Sequence, residues 1–103
     1  MPEETRGLPT VEDAIELVTC RTYAQQAGRS TDDPVEMRAG AIVNALVALG
    51  ADDEITARIL VMEAAERLGG ASAFTQHQGG NRAGGPVVRS RLRIWIPRDE
   101  LHD

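Results

Sequence analysis

From Ala41 to Leu49 the chain carries one polar side chain, Asn44, and residues 45–49 read Ala-Leu-Val-Ala-Leu. That is more than a full helical turn with no wet side. Such a segment must be covered, so the fold is decided by what covers it. Upstream, Asp33 is a good N-cap, Pro34 suits a first helical position, and Glu36 sits three residues after the cap. Val35, Ala39, Ile42, Leu46 and Leu49 recur at steps of 4, 3, 4 and 3, which predicts a helix over about 34–49 ended by Gly50.

Two further helices are expected around it. Residues 1–9 are polar, with Pro2, Gly7 and Pro9, and read as an arm. Thr10 then opens a helix over about 10–27, its hydroxyl placed to accept from the amide of Asp13, and Gly28 stops it. Val11, Ala14, Ile15 and Val18 share its apolar face, widened by Leu17, Ala24 and Ala27. Asp52 or Asp53 caps a helix over about 53–68, ended by Gly69-Gly70. Ala57, Val61, Ala64 and Leu68 form one of its stripes, and Ile55, Ile59 and Met62 a second. Its polar strip is correspondingly narrow.

Past the helices the period changes. Residues 69–86 are punctuated by six glycines and closed by Pro86, which reads as a loop in which Ala71–Gln78 has the makings of a short strand. From about 87 to 96 the pattern alternates: Val88, Ser90, Leu92, Ile94 and Ile96 point one way, and Arg89, Arg91, Arg93 and Trp95 the other. That is a half-buried strand, ended by Pro97. The expected fold is α+β, a three-helix N-terminal bundle followed by a C-terminal β-hairpin or single long strand, with residues 10–103 as one domain. A lone strand is not stable in water, so it pairs with 71–78, with its own twin, or with another protein's sheet.

At 103 residues a domain buries only a modest share of its surface. With 42% apolar and 26% charged residues the chain is globular, not disordered. Tyr23, Phe74 and Trp95 are its only aromatics, so the core is aliphatic. Each large aliphatic side chain left in water forgoes roughly 1.5–3 kcal/mol. Four or five of them rival the roughly 5–15 kcal/mol stability of a whole domain. The first helix and the strand cover part of the need. The expectation is that a second copy covers the rest, through Ile42, Leu46, Leu49, Ile59 and Val61, in a two-fold dimer.

The charge is uneven. Net charge is −5, yet residues 1–70 hold thirteen acids against six arginines, and residues 71–103 hold five arginines against three acids. The chain as a whole is therefore no general polyanion binder. Arg89, Arg91 and Arg93 form a ladder about 6.5–7 Å per step on one strand face, completed by Trp95, with Arg82 in the glycine-rich segment before it. Arg and Trp favour binding hot spots, so these five are the candidate partner-binding residues, and another protein is the expected partner. The plainer alternative is a solvated face, or one that meets the chain's own acids.

Other chemistry finds little support. The paired acids sit where helices are expected to start and read as caps. Cys20 is the single cysteine, so an internal disulfide is excluded, and it reads as packed within a helix. His77 and His102 are too few and too scattered for zinc. Gly79–Gly85 lacks the Gly-Lys-Ser/Thr ending of a phosphate loop. No metal or cofactor is expected, and the weakest reading is an enzyme or small-molecule binder with a site formed in the oligomer. With neither a basic, apolar leader nor an apolar run of about 20 residues, a cytoplasmic protein without membrane contact is expected. A winged-helix-like DNA-binding regulator, using the glycine-rich hairpin and the arginine strand, is the main alternative. Asp52-Asp53-Glu54 at the start of the last helix opposes it, because the acids would face phosphates.

Overall fold

The computed structural model describes residues 7–25, 33–82 and 85–102, and within 76–90 the backbone alone. The described residues form a mixed α+β fold of three α-helices and one antiparallel sheet: α1 (Val11–Val18), β1 (Val35–Met37), α2 (Ala39–Ala48), α3 (Glu54–Arg67), β2 (Ala71–Arg82) and β3 (Gly85–Ile96). The sheet order is β1-β3-β2. Among the described residues no helix is long and apolar enough to cross a membrane.

The helix starts follow local chemistry. Thr10 and Asp13 form a reciprocal capping box on α1, with the Thr10 amide donating to Asp13 Oδ2 at 2.8 Å. Asp53 caps α3 by accepting from the Thr56 amide at 2.8 Å, which holds its carboxyl below the usual range. Both α2 and α3 end in paired backbone closures around a left-handed glycine. Gly50 (φ 119°) follows α2 and Gly69 (φ 80°) follows α3. Gly70 then donates back to the Ala65 carbonyl at 2.8 Å.

Two helical expectations are corrected. The first helix stops at Val18, not near residue 27. Thr19 turns its hydroxyl back on the Ile15 and Glu16 carbonyls at 3.0 and 3.2 Å, and a 3-10 turn follows over Arg21–Tyr23. Tyr23–Gln25 then lies antiparallel to Glu36–Arg38, bonded from Gln25 N to Glu36 O at 2.9 Å. Cys20 therefore sits half-buried beyond the helix end. The Gly28 stop lies outside the described residues.

The second helix begins at Ala39, not 34, and Asp33 caps no helix. Residues 35–37 are strand because Val35 and Met37 bury completely on one side, opposite Ile96 and Ile94, while Glu36 faces the other. Sheet pairing outweighs a favourable but local helix-start signal. Residues 71–82 of the glycine-rich stretch are strand, not loop, and residues 83–84 lie outside the described residues. Ala71–Arg82 pairs with Gly85–Ile96 as a long hairpin, and its glycines 79 and 80 lie at a register shift between Gln78 and Asn81.

The core lies between the helices and one face of the sheet. Ala14 and Val18 of α1, Ile42, Val43 and Leu46 of α2, and Ala57, Val61, Ala64 and Ala65 of α3 close on Val35, Met37, Leu92, Ile94 and Ile96. The alanines of α3 let its neighbours approach closely enough to exclude water. Ile42, Leu46 and Val61 are thereby enclosed by this chain's own elements. They are not available to a second copy. Of the five expected interface residues, Leu49 (43% exposed) and Ile59 (56%) stay at the surface, joined by Ile55 (63%).

Candidate functional site

Two surfaces concentrate the unspent chemistry. The first is the end of β3 where β1 stops. β1 pairs with residues 94–96 only, and at Arg38 the chain turns away into α2. Among the described residues, Gly85–Arg93 of β3 has no neighbour on that side, so its backbone groups face outward. A groove of about 500 Å³ opens there, lined by the first turn of α2, the start of α3 and residues 91–93 of β3.

Four guanidinium groups border this groove: Arg38, Arg58, Arg91 and Arg93, against the carboxylates Glu36 and Glu54. Arg93 grips Glu36 with both prongs, Nε to Oε2 at 3.1 Å and Nη2 to Oε1 at 3.2 Å. Its guanidinium also lies 4.9 Å from the centre of the Trp95 ring. Arg58 bonds Glu54 at 3.1 Å and stacks 5.5 Å from the Phe74 ring centre. Arg38 and Arg91 are exposed. The groove thus holds two more positive than negative side chains within a chain of net charge −5.

The Arg93 hydrogen bonds are the main reason the Glu36 carboxyl sits below the ordinary glutamate range. Partial burial opposes them, and the charge of Arg93, a hydrogen bond from Gln25 and the charge of Arg91 add to them. A lowered carboxyl stabilises the fold above its unfolded value and ceases to do so as pH falls through its folded value. Urea unfolding followed downward from about pH 5, through the unfolded glutamate value of about 4.3, is therefore expected to show a steeper loss in the wild type than in Glu36→Gln. Equal slopes would mean that the pair does not form in solution.

The second surface runs along the outer side of α3. Ile55 and Ile59 stand one turn apart, and Ile59 and Met62 share a shallow groove with Ser72 of β2. Phe74, also exposed, follows two residues along the same strand face. This apolar stripe runs beside the outer edge of β2, which is unpaired among the described residues.

The sequence-derived residues fall into place unevenly. Arg91, Arg93 and Trp95 share the sheet face opposite the core, with Arg93 committed to Glu36. The Arg82 and Arg89 backbones lie in the hairpin, but their side chains are outside the described set. Glu36, Arg38, Arg58 and Phe74 were missed, and only tertiary structure brings them to these surfaces. Thr19 and His102 meet through Oγ1 and Nε2 at 2.9 Å, and the His102 backbone bridges Cys20, tying the C-terminal segment to the end of α1. Among the described residues no three metal-binding side chains converge. No family model, curated protein or solved structure matches the chain.

Proposed function

We propose that this chain is a non-catalytic interaction and assembly protein, which self-associates through α3 and binds another protein through its arginine-bearing strand. The observation that carries the reading is the Ile55–Ile59 stripe beside the open edge of β2. A second copy related by a two-fold axis would pair β2 with β2 and cover both stripes at once. The wet half of Ile55 and Ile59 in each copy leaves about 1–3 kcal/mol of burial unrealised, enough to favour association when doubled in a pair. Leu49 remains a candidate for the same interface.

Sedimentation across concentration tests this. A dimer is expected in the micromolar range, and the double variant Ile55→Glu/Ile59→Glu is expected to be monomeric at least tenfold higher in concentration, while still melting cooperatively. A wild type that stays monomeric at high micromolar concentration would overturn the self-association half of the reading.

Duplex DNA binding is the second reading, favoured by one observation. A helix pair, α2 and α3, precedes a long hairpin, and β1 lies against β3, which is the arrangement of a winged helix. The outer face of α3 opposes it, since Asp52, Asp53 and Glu54 lead into exposed Ile55 and Ile59. A reading helix of that character repels phosphate and wets apolar surface. Titration with random-sequence duplex at low salt decides, because tight binding that weakens steeply with salt would restore this reading.

A further inference from the structure

We infer that the groove at the end of β1 receives an acidic segment of a partner protein in extended form, added as a strand to the open edge of β3. The inference rests on the proposed partner-binding role of that strand and names the partner's chemistry. Three observations carry it. The edge of β3 from Gly85 to Arg93 is free of β1, so a fourth strand has backbone groups to bond. The groove is lined by Arg38 and Arg58 as well as Arg91 and Arg93, four guanidinium groups against two carboxylates, with Arg58 on the Phe74 side of the sheet and Arg91 and Arg93 on the other. Arg93 and Arg58 already show the pairing these groups favour, each gripping a carboxylate of this chain at 3.1 Å.

Carboxylate fits better than the phosphate backbone of nucleic acid. Glu36 and Glu54 line the groove, and Asp52 and Asp53 directly precede Glu54 in the chain, so a continuous polyanion would meet repulsion there. A peptide avoids this by alternating. Every second side chain meets the arginine face that Arg91 and Arg93 share. The intervening ones turn toward the face of Leu92 and Phe74. Arg91 and Arg38 are exposed and stand ready for the incoming acids, whereas Arg93 keeps Glu36.

The test uses the full chain and a fluorescent peptide of about ten residues alternating glutamate and valine, the length of a long strand. Anisotropy is expected to show saturable binding that weakens about tenfold or more in Arg38→Ser/Arg91→Ser. Both sites are exposed, so circular dichroism should show this variant folded. Binding is expected to vanish when alternate peptide nitrogens are methylated, because strand addition needs their hydrogens. It should fail with lysine in place of glutamate. Equal binding by the methylated peptide would overturn strand addition, and equal binding by the arginine variant would overturn the groove. A random-sequence duplex that binds more tightly than the peptide would overturn the partner class. A chain that dimerises but ignores the peptide sinks this inference alone, whereas one that binds the peptide yet stays monomeric sinks only the self-association.

Discussion

Replacing Gly70 by alanine is expected to cost about 3 kcal/mol or more, lowering the melting temperature by some 12–24 °C, as for any forced overpacking in a domain of this size. Gly70 joins α3 to β2 where the chain crosses the end of the sheet. A Cβ there would overlap the Trp95 backbone carbonyl oxygen and press on the Ala65 carbonyl oxygen and Ile96 Cδ1, both at 3.2 Å. Two of these three obstacles are backbone, held by the sheet and the helix end, so neither can swing aside. Relief requires β3 to part from the α3 end, which loosens Ile96 in the core. The control is Gly40→Ala. Gly40 is exposed in α2 with nothing within 4 Å of the added carbon, so alanine should stabilise by about 0.5–1 kcal/mol. Thermal melts of both variants read the contrast, and a harmless Gly70→Ala would show that the α3–β2 joint is not closed as described.

Met37→Ala is the second large effect, expected to cost about 2–5 kcal/mol by urea unfolding. Met37 is completely buried, one of the largest such side chains, and lies opposite Ile94 in the sheet. On a helix over 34–49 it would fall off the Val35–Ala39–Ile42 stripe and its truncation would matter little. Leu49→Ala is the converse case: it belongs to the helical stripe but is 43% exposed, so about 1 kcal/mol is expected. If the two costs were reversed, residues 35–37 would not be the strand that bounds the groove.

What could be read from the residues was whatever local chemistry decides. Asp53 followed by an apolar pattern gave α3, and strict alternation from Leu92 to Ile96 gave the buried face of β3. β1 was hidden because three residues are too few to display a period, and Asp33-Pro34 offers a convincing helix start directly before it. The length of the hairpin was hidden by glycines, which weaken a strand locally but are tolerated where the register slips. The covering of Ile42, Leu46 and Val61 was underestimated, since counting oily positions on each helix does not reveal how closely alanine-rich surfaces pack. The arginine ladder was visible, but its division was not. Glu36, which occupies Arg93, is 57 residues away in the chain and reaches it only through β1.

The slip between Gln78 and Asn81 bears on how far the open edge of β2 can act as a template for further strands. A straight twelve-residue edge would invite copy after copy to stack into fibrils. An irregular register adds local twist and interrupts the template, leaving Ala71–Gln78 as the longest regular stretch a neighbour can match. In the proposed dimer, two chains related by a two-fold axis would share that short stretch and consume both β2 edges. The irregular, glycine-bearing end would then deter growth from that pair to a fibre.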